Sequence, residues 1–291
     1  MRRDARLGSP LVLLMSIAGV ASFLYPFFLP LLAGAQSRSA RSGVETPLLF
    51  TAIGGLCLLV ILLELQGSPH RVDHGASKMV ALLGVLVATD ATLRLIPTLL
   101  GASPIFLLII LAGFSFGPNF GFLMGALTLL VSALITGGLG PWLPYQMLGA
   151  GWIGMTAGWL PRSEQPGNRR DITVLALFGA VWGLLYGASL NLTEWPFAAP
   201  GLRESAGLYW VAGMSLGETI STYVRFYIST SLVYDSFRAV ANVVLVIALA
   251  RPILRLFERY RTRFTWEPWQ PYEQAPTSVN ASSKTGEVSV T

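Results

Sequence analysis

The side chains with chemical capacity in this chain are few and far apart. Asp90 and Arg94 lie four residues apart in an otherwise apolar run, so on a helix they share a face and either neutralise each other or line a pocket. Trp142, Tyr145 and Gln146 fall in the Pro-broken stretch GPWLPYQM, and Trp195 and Tyr209 in a long segment rich in Trp, Tyr, Glu and Pro. Aromatic faces accompanied by an amide and a guanidinium suit the stacking and hydrogen bonding of a planar organic solute. The aromatics also fit an interfacial belt, but a belt has no use for the Gln146 amide. His70, Asp73 and His74 have a spacing that would hold a metal on a helix, whereas Gly67, Pro69 and Gly75 favour a solvated linker, and no metal is expected there. The single Cys57 sits in an apolar run, which excludes an intramolecular disulfide or a CxxC site and reads as a packing residue.

Reactive machinery is sparse. No GxxxxGK[ST] phosphate loop and no HExxH zinc motif occurs, and the acids are scattered singly rather than clustered to hold Mg²⁺. The chain is therefore not expected to be an enzyme or to need a cofactor, and any energy for its work must come from partners.

The elements that must position these residues are apolar. Hydrophobic residues make up 53% of the chain and charged residues 12%, mean hydropathy is +0.59, and the long runs reach the roughly 20 residues needed to cross a bilayer. The expected class is an all-α, polytopic membrane protein. A net charge of +5 would suit nucleic acid if it formed a continuous face, but the basic residues cluster beside apolar runs and report topology instead.

Spans are expected at Leu11–Leu32, Leu48–Leu63, Met79–Leu95, Pro104–Phe116, Phe120–Ile135, Tyr145–Leu160, Ile172–Leu190 and Phe237–Leu254. Ala33-Gly34-Ala35 resembles a signal-cleavage site, yet the first run exceeds the about 7–15 apolar residues of a signal peptide, which favours an uncleaved span. Small residues recur every fourth position at Gly113, Gly117, Gly121 and Gly125, and again at Ala150, Gly154 and Gly158, so these helices should approach closely. Within the Thr193–Asp235 connection, Ile220, Tyr223, Val224, Tyr227 and Ile228 recur at helical spacing, which predicts a helix lying over the outer surface. Reading it as a further span would put Arg251, Arg255, Arg259, Arg261 and Arg263 outside, against the positive-inside rule. With most of the twenty Lys and Arg inside, both termini are cytoplasmic, and the junctions bearing Arg94, Trp142, Tyr145, Gln146 and Trp195 converge on the outer face. The tail from Thr265 is rich in Pro, Ser, Thr and Glu and reads as disordered.

LAGFSFGPNFGFLMGALTLLVSALITGGLGPWLPYQM, together with RAVANVVLVIALARPILRLFERY, resembles the substrate-specific S component of energy-coupling factor (ECF) transporters, vitamin-type and closest to cobalamin-linked members. The likeness covers Met79 to Arg263, and its most specific element is GPWLPYQM after a Gly-rich helix. It implies a six-helix S-component-like core at 79–263, preceded by a two-span extension with its linker at 1–78 and followed by the tail at 264–291; the two extra N-terminal spans depart from the family. It also implies capture of a vitamin or related micronutrient from outside a bacterial cytoplasmic membrane, with cobalamin or a corrinoid as lead substrate. Delivery would follow docking on a transmembrane coupling protein that carries two ATPase subunits. Small residues on the first core helix form the family's docking face, and Gly84 and Ala88 match that type of position. The Met-His terminus of the metal-transporting branch is absent. A non-transporting membrane scaffold of a cell-envelope assembly complex is the alternative.

Overall fold

A computed structural model of the chain describes residues 9–32, 55, 74–96, 100–163, 165–197, 207–211 and 213–263. The described residues hold eight α-helices and no strand. They are α1 (Pro10–Leu32), α2 (His74–Leu93), α3 (Ile105–Phe116), α4 (Pro118–Thr136), α5 (Leu143–Ala157), α6 (Arg169–Glu194), α7 (Leu216–Thr230) and α8 (Leu232–Arg263). The expected second span, Cys57, His70, Asp73 and the tail lie outside the described residues.

Breaks between helices fall where the backbone demands them. Gly117, at φ +103°, ends α3 and starts α4 within one residue, a conformation that side chains rarely adopt, and Pro118 follows at the first helical position. Gly137 closes α4 in the left-handed region (φ +69°), and the N–H groups of Gly137 and Gly138 both reach the Ala133 carbonyl. Asn168 caps α6 by accepting from Asp171 N at 2.8 Å, and Ser215 and Glu218 form a reciprocal capping box at the head of α7.

The core is a three-helix contact built on glycine. A Cβ on Gly121 would strike the Gly154 carbonyl and the Gly113 backbone, one on Gly154 would strike Gly121, and one on Gly125 would strike the Ala150 carbonyl. The two expected small-residue series therefore do face each other, with α3, α4 and α5 touching backbone to backbone. α3 is buried from Ile105 to Phe114. A second ladder, Gly179, Gly183 and Gly187 on α6, receives Asn242, Ala239 and Asp235 of α8. α2 lies on α4, and α1 on α5 and α6.

α4, α6 and α8 are long and apolar enough to cross a membrane. The exposed sides of α6 and α8 carry Leu177, Val181, Leu185, Val240, Val244 and Ile247, which is the inverse of a soluble protein and matches helices that meet lipid. The chain is an all-α polytopic membrane protein.

Several boundaries differ from the sequence expectation. α2 starts at His74, so Gly75 does not break it. α6 runs on to Glu194, and α7 joins α8 through Ser231 alone, which shortens the irregular part of the Thr193–Asp235 connection. The last helix extends from Leu232 to Arg263, past Pro252, instead of Phe237–Leu254. Its extra turns carry the basic end as helix.

Gly154→Ala should lower stability by roughly 1–3 kcal/mol or more, because one methyl group meets rigid backbone rather than a side chain that can move. Gly84→Ala, with nothing within 4 Å of the new carbon, should not. Thermal unfolding of both variants in detergent checks the contrast.

Candidate functional site

One end of the bundle, marked by Arg94, gathers polar groups. There α2 gives way to a turn, and each of its two ionisable side chains meets a hydroxyl of α4: Thr128 donates to Asp90 Oδ2 at 3.1 Å, and Arg94 Nη1 donates to Ser132 Oγ at 2.8 Å. Asp90, Thr128 and Ser132 are fully buried. No ion pair joins Asp90 to Arg94, contrary to one expectation from their spacing. The helix ends at Leu93, so Arg94 leaves the register that would have paired them, and α4 offers each a separate partner.

At the head of α5, Trp142 is exposed and folds its indole back over Gly140. Tyr145 is half-buried with its ring edge-on to Phe23 of α1 at 5.1 Å. Gln146 is half-buried, and its side chain makes no hydrogen bond among the described residues. Trp195 stands apart from these open positions. It is 1% exposed, donates Nε1 to the Leu208 carbonyl at 2.9 Å, and packs against Phe27, Tyr223 and Phe226. α1 links the two groups by carrying Phe23 to Tyr145 and Phe27 to Trp195. Arg94 is fastened to α4 instead.

The same end contains residues that the sequence reading passed over. Tyr186 is buried between Phe106 (4.9 Å between rings) and the Arg238 guanidinium (5.4 Å above its ring), and Gly149 leaves room for it. Arg238 pairs with Asp235 and donates to the Gly183 carbonyl at 3.3 Å. From α7, Tyr223 donates to the Ala188 carbonyl and Tyr227 to that of Leu184 at 3.4 Å. Burial, and then the nearby Asp235 carboxylate, push the Tyr227 phenol up to about 12; burial likewise raises Tyr223. Both remain protonated donors at neutral pH and hold α7 to α6. Arg238 lay inside an expected span, so the default that treats an intramembrane charge as functional or paired, already applied to Asp90 and Arg94, would have found it.

The Asp235 carboxylate serves both Arg238 and the Tyr227 hydroxyl, whereas two buried polar atoms at this end, Asp90 Oδ1 and Ser103 Oγ, lack a protein partner among the described residues. Such atoms are uncommon in a well-packed interior, because each costs free energy until it is satisfied.

Gly213–Gly217, GMSLG, also has the GxSxG spacing of a nucleophile elbow, which the sequence reading missed. Ser215 caps α7 with its hydroxyl bonded to Glu218, and no strand precedes it among the described residues, so the elbow geometry is absent. Among the described residues no group of three or more His, Cys, Asp or Glu could hold a metal. On α2, Gly84 and Ala88 lie on an exposed face with Ala81, Val85 and Thr89. A cleft of about 230 Å³ lies at the opposite end, against Arg162.

Asp235 and Arg238 are a buried pair, with 3% and 15% of their side chains exposed. Arg238→Ala should cost roughly 3–5 kcal/mol by leaving the carboxylate unpaired, and Asp235→Asn in the same chain should recover most of that loss. Unfolding of the single and double variants in detergent measures the recovery.

No curated protein and no solved structure matches the chain. Residues 78–250 match the family described as ECF transporter, substrate-specific component, whose members are transport subunits rather than enzymes. That match takes in α2 to α8 as far as Ala250, well over half of the sequence. The chain belongs to the family of ECF transporter substrate-specific components.

Proposed function

We propose that this subunit captures a vitamin-like organic micronutrient at its Arg94 end, with cobalamin or another corrinoid as the lead candidate, and that this end faces outward from a bacterial cytoplasmic membrane. The orientation rests on the basic residues of the Arg162–Arg170 loop and of α8 from Arg251 to Arg263, which belong inside under the positive-inside rule, as do both termini. The corrinoid assignment rests on the likeness of the GPWLPYQM stretch to cobalamin-linked members. The observation that carries the site is the set of uncommitted polar groups at the Arg94 end: the Gln146 amide and the Asp90 Oδ1 and Ser103 Oγ atoms, close to aromatic faces.

Within this reading Trp142 and Tyr145 stack a planar substrate, and Gln146 and Arg94 meet its amide or carboxylate groups. Trp195 acts behind them as the buried centre of the aromatic cluster. The division into a two-span extension (1–78), core (79–263) and tail (264–291) is part of the same proposal. So is partnership with a coupling protein and two ATPases, for which the family assignment is the support.

Trp142→Ala and Gln146→Ala should each weaken substrate binding by about tenfold or more, since one decade is roughly 1.4 kcal/mol and a buried polar contact is worth about 1–3 kcal/mol. Trp159→Ala, in the exposed turn beyond the far end of α5, is the control. Mass spectrometry of whatever the purified protein releases on denaturation identifies the substrate; release of nothing would favour the scaffold alternative. Equal weakening in control and test variants would remove the site from this end.

Gly84→Leu or Ala88→Leu should abolish uptake and leave binding by the isolated subunit nearly unchanged, because both positions are exposed, a Cβ at Gly84 meets nothing within 4 Å, and leucine there blocks close helix approach by a partner. Paired uptake and binding assays separate that outcome from a folding defect, in which both would fall.

A further inference from the structure

The cleft against Arg162 is framed by two kinds of surface. Phe114, Leu254 and Pro166 supply apolar walls, while Arg162, Arg261, Asp171, Glu258, Ser115 and Ser163 supply the polar rim. At about 230 Å³ it is smaller than the roughly 300–1,000 Å³ of pockets that enclose drug-sized ligands, and it lies at the far end of the bundle from Arg94. It is therefore separate from the proposed micronutrient site.

Its two carboxylates are already engaged. Asp171 is buried and accepts from Ser163 N at 3.2 Å, Ser163 Oγ at 2.9 Å and Gly167 N at 3.2 Å, which fastens the 163–167 loop to the head of α6. Glu258 lies 3.7 Å from Arg261. Arg162 has its guanidinium over the Phe114 ring at 5.8 Å and forms no ion pair among the described residues. Arg162 and Arg261 line the same cleft, and burial first, then the charge of Arg261, hold the Arg162 guanidinium below its ordinary pKa, with Glu258 only partly offsetting them. An anion between the two arginines would relieve their opposition.

We propose that this cleft binds the phosphate headgroup of an anionic phospholipid, with Arg162 and Arg261 on the phosphate and the glycerol end against Phe114 and Leu254. With Asp171 turned to the 163–167 loop, arginines over apolar walls, between membrane helices on the side rich in Arg, are the arrangement that holds anionic headgroups. The apolar walls favour a lipid over free phosphate, which would gain nothing from Phe114 or Leu254. The proposal stands independently of which substrate the Arg94 end captures.

The test is native mass spectrometry of the full chain in detergent, titrated with phosphatidylglycerol, with phosphatidylcholine and with inorganic phosphate. Phosphatidylglycerol should be retained and phosphatidylcholine should not. Arg162→Ala and Arg261→Ala should each weaken retention about fivefold, the equivalent of the roughly 1 kcal/mol that one Arg contributes to an anionic lipid. Arg162→Lys should keep most of it, and Arg255→Ala, outside the cleft, should behave as the parent chain. Three results would overturn the proposal: equal retention of both lipids, an effect of Arg255→Ala matching that of Arg162→Ala, or displacement of the lipid by inorganic phosphate at equal concentration. The last would reassign the cleft to free phosphate. Thermal melting of each variant without lipid guards against misfolding, since a variant that melts with the parent chain and still retains phosphatidylglycerol also refutes the assignment.

Discussion

Backbone contact between Gly121 of α4 and Gly154 of α5, with Gly113 of α3 against both, is the constraint on which the rest of the bundle depends. In lipid no hydrophobic driving force brings helices together, so association relies on close packing and interhelical hydrogen bonds. Without side chains at these positions the first half of α4 interlocks with the second half of α5. α3 then becomes the buried axis of the molecule, and α2, α6 and α8 are laid around it. The second ladder, Gly179 to Gly187, applies the same device to α8 and at its upper rung admits a carboxylate, Asp235, in place of a methyl group.

These glycine seams also explain why polar groups are tolerated at the Arg94 end. Close approach brings backbone carbonyls and small hydroxyls within reach of charges that lipid could not accommodate: Ser132 serves Arg94, Thr128 serves Asp90, and the Gly183 carbonyl serves Arg238. The polar set is therefore a product of the packing that surrounds it. Its position at the end of the bundle follows from α2, α4, α6 and α8 all placing their polar turns there.

Much of this was legible in the sequence because the signals are local. Repeats of Gly at fourfold spacing need only helical periodicity to be read, and Gly117-Pro118 and Gly137 mark breaks by backbone geometry alone. Pairing across helices was not legible. Asp90 and Arg94 look like a pair along one helix, yet each finds an α4 hydroxyl 38 residues away. Trp195 reads as a stacking aromatic in a long connection; its burial depends on Phe27 and Phe226, distant in the chain. Arg238 stood in plain view inside the expected span, but its partner was hidden by a boundary: the last helix starts at Leu232, so Asp235 falls in the expected connection.

The shortness of α3 bears on how the protein is made. Its 12 residues rise about 18 Å, against a hydrocarbon layer of about 30 Å. Emerging from the ribosome alone, it could not settle across a bilayer, however apolar it is. The one-residue break at Gly117 couples it to the 19-residue α4, so the two must be handed to the membrane as a single hairpin, with α3 sheltered by its successor until α5 closes over both. The order of synthesis is thus written into a turn, and a substitution that stiffened Gly117 would strand a half-length helix at the insertion machinery before any question of transport arose.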